Sequence, residues 1–150
     1  MLVQTIFNSR YKFEEEGEIS METKKLGSSV LIGVGVIYVI AASFALLFSL
    51  LLLFTSLEEQ DLYLITTIIS FIAIFIGGFM AGGKGKERGW LLGGLTGLTF
   101  TIINFLVQYL GFDQTFSSEQ IIIYICFNVT SIMGGILGVN MAGGSNQSKG

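Results

Sequence analysis

The 150-residue chain has no histidine, no proline, a single cysteine and only 13% charged residues. Without histidine, the commonest metal ligand and neutral-pH general base is missing. With Cys126 alone, no disulfide can form within the chain, and a lone thiol in an apolar run serves as a small apolar residue. The missing proline argues against the broken helices that many transporters place around their substrates. So little charge cannot cover the surface of a soluble domain of this length. What is present instead is apolar: 51% of residues are hydrophobic, and the mean hydropathy is +0.72.

The apolar residues are concentrated in runs. Val30 to Phe54 is a charge-free stretch of 25 residues, longer than the roughly 20 needed to cross a hydrocarbon core of about 30 Å. Leu62 to Gly83, Gly89 to Phe112 and Gln120 to Gly144 are further charge-free runs of spanning length. The expected fold is all-α, a polytopic membrane protein with spans at about 29–54, 62–83, 89–111 and 120–143. The first run is too long and too far from the N-terminus for a secretory signal.

Charge is sorted between the connections. Arg10, Lys12, Lys24, Lys25, Lys84, Lys86, Arg88 and Lys149 fall in the N-terminal segment, the second connection or the C-terminal tail. The first and third connections carry Glu58, Glu59, Asp61, Asp113 and Glu119, with no Lys or Arg. The positive-inside rule places both termini and the middle connection in the cytoplasm of a bacterial cytoplasmic membrane. Residues 145–150 are then a cytoplasmic tail. No basic face suits nucleic acid.

Residues 1–20 share nothing with the rest of the chain. "METKKLGSSV" from Met21 reads as a natural start, a short basic segment directly before a span. The first 20 residues are expected to be either translated upstream sequence, with Met21 the true start, or a disordered, mostly acidic tail. Residues 21–144 form the membrane domain.

Self-comparison shows a repeat of about 60 residues. Met80-Ala81-Gly82-Gly83 matches Met141-Ala142-Gly143-Gly144, and Ser70, Ala73 and Gly77 align with Ser131, Gly134 and Gly138. The unit is a two-helix hairpin, duplicated in tandem. Two copies of the same topology are expected to be related by a pseudo-two-fold axis along the membrane normal.

Lipid tails are as apolar as leucine, so close packing of small residues must hold such helices together. Small residues recur every four positions in each span: Ser29-Gly33 and Ala41-Ala45-Ser49, then Ala73-Gly77-Ala81, then Gly89-Gly93-Gly97-Thr101, then Thr130-Gly134-Gly138-Ala142. The Gly89-Gly93-Gly97 run is a glycine zipper. Such rows build either an oligomeric pore or an ordinary compact bundle. Because every helix carries one, packing within the bundle is preferred.

Gly78-x-x-x-x-Gly83-Lys84 approximates a phosphate-binding loop. That motif needs a preceding strand and a Ser or Thr after the lysine. Here a helix precedes it and Gly85 comes next, so no nucleotide is expected. Lys84, Lys86 and Arg88 instead suit anchoring at anionic headgroups, with Trp90 in the aromatic belt.

No Asp, Glu, Lys, Arg or His lies inside a span. Such residues mark most proton relays and intramembrane catalysts, and small four-helix multidrug exporters rely on an embedded glutamate. The remaining polar groups are neutral: Asn104 and Gln108 in the third span, Asn128 and Ser131 in the fourth, Thr66 and Ser70 in the second. They suggest a polar pocket or narrow path, or simply hydrogen bonds between helices. Glu58, Glu59 and Asp61 form an acidic loop without calcium-ligand spacing.

Gly77, Gly78, Ala81 and Gly82, a basic turn, and then Gly89, Trp90, Leu91, Gly93, Gly97 and Leu98 resemble the pattern of a family of small, uncharacterised four-helix membrane proteins of Gram-positive bacteria, the YrzE-like proteins. The resemblance covers about residues 21–144. This chain has Gly83 where the family usually has arginine, and Leu92 where it often has histidine. The resemblance implies architecture and no activity. The expectation is a non-enzymatic membrane protein without cofactor, a small subunit or accessory of a larger assembly. An oligomeric, holin-like pore and a small-solute transporter are the alternatives. Its partners are then membrane lipids and either another membrane protein or further copies of itself.

Overall fold

A computed structural model describes residues 1–55 and 59–144. Four helices succeed one another: α1 (Leu2–Phe54), α2 (Glu59–Gly85), α3 (Gly89–Phe112) and α4 (Ser118–Gly144). All four are long and apolar enough to cross a membrane, and no strand occurs among the described residues. The chain is therefore an all-α, multi-pass membrane protein. Glu58 of the acidic loop and the 145–150 tail lie outside the described residues, as do the side chains of Glu59 and Asp61.

Helix ends obey local chemistry. The Asp113 residue closing α3 is left-handed (φ 52°), and its N–H donates to the Tyr109 carbonyl, the αL termination of a helix. The start of α4 is a capping box. Ser117 N–H donates to Gln120 Oε1 at 3.0 Å, while Gln120 N–H donates to Ser117 Oγ at 3.3 Å, so two otherwise orphan amides are satisfied reciprocally. Between α2 and α3 the chain turns through Lys86 (φ 61°) and Arg88 (φ 49°).

At the N-terminus α1 begins at Leu2. Residues 1–20, read as a disordered tail or upstream sequence, continue α1 as helix from Leu2. No proline interrupts them, and Gly17 is their only glycine. Residues 1–25 are nevertheless all exposed, so no tertiary packing supports this part of the helix.

Every buried residue falls in one half of the bundle. The buried positions lie at 29–37 of α1, 73–85 of α2, 89–97 of α3 and 127–138 of α4. This half adjoins the α2–α3 turn. At the edge of this half and beyond it aromatic rings join the helices, Phe71 meeting Phe127 at 4.6 Å and Tyr38 meeting Phe100 at 5.8 Å, while Phe116 of the α3–α4 connection stacks on Tyr124 at 4.6 Å between centroids.

The helix neighbours do not obey the expected two-fold. A rotation exchanging α1 with α3 and α2 with α4 would convert the α2–α3 contact into an α1–α4 contact. The first exists, whereas the α1 and α4 backbones have no close approach and these helices meet only through side chains such as Ile37 and Phe127. The reason lies in the glycine doublets. Gly77 faces α1 while Gly78 faces α4; Gly134 faces α2 while Gly135 faces α3. Adjacent helical residues point about 100° apart, so each doublet lets its helix sit between two close neighbours. The first-span counterparts of α3 carry no such match for α4, and α1 stays at the edge.

Candidate functional site

The centre of the packed half is a seam in which the α4 backbone lies between glycines of α2 and α3. At Ser131, Gly78 of α2 and Gly93 of α3 both approach the backbone carbonyl so closely that an added methyl would overlap it. One turn along, Gly82 and Gly89 do the same at Gly135. On the α2 side, Gly134 and Gly138 of α4 in turn approach the carbonyls of Phe75 and Phe79. The edge helix is held likewise: a methyl on Gly33 would come within 2.7 Å of the Gly77 carbonyl oxygen and 2.8 Å of Ala81 Cβ. Gly77, Ala81, Gly89, Gly93, Gly97, Gly134 and Gly138 therefore all face helices of the same chain. Ala142, at the end of the fourth row, is half-buried.

Hydrogen bonds run along the α3–α4 side of this seam. The Ser131 hydroxyl, fully buried, donates to the Gly93 carbonyl at 2.7 Å. Asn128 Nδ2 donates to Thr101 Oγ1 at 3.3 Å, and the Thr101 hydroxyl in turn donates to Gly97 O at 2.9 Å. At the far end, Gln108 Nε2 donates to Gln120 Oε1 at 3.3 Å. Asn104 is turned the other way. It donates to its own helix at Phe100 O (2.8 Å) and to the Tyr38 hydroxyl on α1 at 3.5 Å.

The four polar residues singled out from sequence are thus not gathered around one pocket. Asn128 and Ser131 share the α3–α4 seam, Gln108 lies at its end, and Asn104 belongs to the α1–α3 contact. On α2, the Ser70 hydroxyl donates to Thr66 O of its own helix. Among the described residues no buried side-chain nitrogen or oxygen lacks a partner. What the bonds at Asn104, Gln108, Asn128 and Ser131 can do chemically is join helices.

The basic turn contributes one ion pair, Arg88 Nη1 to Glu22 Oε1 at 3.2 Å, with both side chains about half exposed. Lys84 sits in the last turn of α2, where a cation complements the helix dipole. Lys84, Lys86 and Trp90 are exposed, and Trp90 projects from the first turn of α3.

Several partners carry little signal in the sequence. Tyr38, Gln120 and Glu22 are ordinary residue types whose role depends on which helix lies opposite. Gln120 has one local signal, the Ser117-x-x-Gln120 spacing of a capping box. Gly135 has another: it follows Gly134, and the two members of this doublet face different helices, α3 and α2.

Residues 26–138 match a family described as protein of unknown function, DUF3792. The chain is also 49% identical over 128 residues to the uncharacterized membrane protein YrzE of Bacillus subtilis (strain 168), covering 85% of each chain. No solved structure matches it. The match spans all four apolar helices and the whole glycine seam, and on that basis the chain belongs to the DUF3792 family of YrzE-like membrane proteins.

Proposed function

We propose that this protein is a non-enzymatic component of the bacterial cytoplasmic membrane, a small subunit or accessory of a larger membrane assembly. Both termini and the Lys84–Arg88 turn face the cytoplasm in this reading. The observation that carries it is the saturation of the seam: the small residues Gly33, Gly77, Gly89, Gly93, Gly97, Gly134 and Gly138 and the polar groups Asn104, Gln108, Asn128 and Ser131 are engaged with helices of the same chain. A catalyst would need a reactive group within the membrane, and the spans contain no ionisable residue except tyrosine and Cys126. A zipper-built pore would need Gly89, Gly93 and Gly97 on an outer face, yet they lie against α4. A solute path would need polar groups converging on one passage, whereas Asn104 and Asn128 point to different helices.

The test is extraction of the protein from its native membrane under mild conditions, then measurement of the mass and composition of the particle. A second membrane protein in fixed stoichiometry supports the subunit reading, and its activity then defines the role. A closed ring of identical chains overturns it in favour of a pore.

A further inference from the structure

Two openings lie toward the end of the bundle away from the α2–α3 turn. The cleft above Ile37, between α1 and α2, is lined mainly by apolar side chains. The other is a groove of about 160 Å³ between α2 and α4, with polar side chains on both walls. Its α2 wall is Tyr63, Thr66, Thr67 and Ser70, and its α4 wall is Gln120, Ile123, Tyr124 and Phe127. Each set follows the i, i+3, i+4, i+7 spacing of one helix face, so two faces stand opposite one another. Nearer the turn the same two helices are drawn together where Gly134 and Gly138 close on Phe75 and Phe79. No glycine occurs from Leu62 to Ile76 or from Ser118 to Met133, and there the side chains hold the helices apart. Among the described residues none of α1 or α3 lines the groove, so its open side faces away from the bundle, toward the bilayer.

We propose that this groove binds the glycerol-ester segment of a phospholipid through the ester carbonyl oxygens. Hydrogen-bonding capacity selects that occupant. The Ser70 hydroxyl donates to Thr66 O and the Thr67 hydroxyl to Tyr63 O, both at 2.8 Å, so these two donors are used. Gln120 Oε1 accepts from Gln108 Nε2 and from Ser117 N–H, which leaves the Gln120 Nε2 amide as a donor. Among the described residues neither that amide nor the hydroxyls of Thr66 and Tyr124 have a hydrogen-bond partner. Donors facing hydrocarbon without a partner are costly, and no charged side chain lines the groove to suit an ion. The ester carbonyls of a phospholipid are acceptors only, and they lie where headgroup gives way to hydrocarbon. The donors stand at that depth. Gln120 begins its charge-free run, and Thr66 and Tyr124 each lie four residues into theirs, roughly 6 Å of helix rise. Ile123 and Phe127 then border the first carbons of an acyl chain.

The full chain, purified in mild detergent, would be offered an equimolar mixture of ester-linked and ether-linked phosphatidylglycerol with identical chains, and bound lipid counted by native mass spectrometry. The ether-linked lipid differs only in lacking the two carbonyl oxygens. Retention of the ester-linked lipid at least about fivefold above the other is expected, the ratio given by one net hydrogen bond. In the double variant Thr66→Val, Tyr124→Phe, which removes two hydroxyls and keeps the shape of both walls, that ratio is expected to fall at least about threefold. Equal retention of the two lipids by the unaltered protein, as a groove filled by water would give, overturns the proposal, and so does a ratio unchanged in the variant. A second measurement needs no variant: the unaltered protein is placed in vesicles of phosphatidylglycerol carrying a photoreactive group beside the ester. Labelling concentrated at residues 63–70 and 120–127 is expected. Labelling spread evenly over the lipid-facing surfaces of α1 and α3 overturns the proposal.

Discussion

The Ser131 hydroxyl of α4 donates to the Gly93 carbonyl of α3 at 2.7 Å, at the level where Gly78 of α2 closes on the same Ser131 backbone from the other side. Three helices meet at one serine. The close approach is possible because two of the three residues have no side chain, and the hydrogen bond uses a carbonyl that this approach brings within reach.

Truncating Ser131 and enlarging it are expected to differ sharply. Ser131→Ala removes one interhelical hydrogen bond, worth about 0.6 kcal/mol and at most about 1.7. Ser131→Leu forces a large side chain into a site with no exposed surface and is expected to destabilise by more than about 3 kcal/mol or to prevent folding. Thermal unfolding in mild detergent measures both. Equal effects from the two variants would contradict the three-helix geometry.

Neighbouring glycines make a sharper comparison. Gly93→Ala places its methyl on the Ser131 carbonyl, whereas Gly94→Ala places it at ordinary contact, 3.6 Å from Ile132 Cγ1. Gly93→Ala is expected to cost about 1–3 kcal/mol through overpacking, and Gly94→Ala less than about 0.5 kcal/mol. The same unfolding assay compares them, and similar midpoints would show that the seam is too loose to exclude a methyl.

If the neutral polar groups join helices, their removal changes stability and not transport. A double-mutant cycle on Asn128→Leu and Thr101→Val is expected to return a coupling of about 0.6 kcal/mol. Asn104 and Asn128 contact different helices, so their effects should simply add. Strong coupling between Asn104 and Asn128 would instead indicate a shared polar site.

The α2–α3 turn holds two residues in left-handed backbone, Lys86 at φ 61° and Arg88 at φ 49°. For an L-residue this costs about 1–2 kcal/mol. Lys86→Gly relieves the strain and, after the greater freedom of glycine in the unfolded chain, is expected to leave stability unchanged or raise it by up to about 1 kcal/mol. Arg88→Gly also loses the exposed pair with Glu22, worth about 0.2–1 kcal/mol, so its net effect is near zero. Lys86→Val, β-branched, is expected to destabilise clearly. A midpoint for Lys86→Val at or above the wild-type value would contradict the backbone assignment.

The sorting of charge between the connections predicts an orientation with both termini in the cytoplasm. A reporter active only outside the cytoplasm should be silent when fused after Gly85 and active when fused after Gln114. The reverse pattern would invert the proposed topology.

The number and helical type of the membrane segments were legible in the sequence because they depend on a one-dimensional quantity, the length of uncharged apolar runs against a fixed hydrocarbon thickness. The rows of small residues were legible too, because spacing along one helix defines a face without reference to any partner. Which helix each face meets is not a property of one helix. Gly77 and Gly78 are adjacent in sequence and meet different neighbours; Asn104 and Gln108 share a row and bond to different helices. The lack of close backbone approach between α1 and α4, the pairing of Glu22 with Arg88 and the cleft above Ile37 all arise from the relative placement of four helices. That placement reflects the sum of many close contacts of similar strength, so only the tertiary structure decides it.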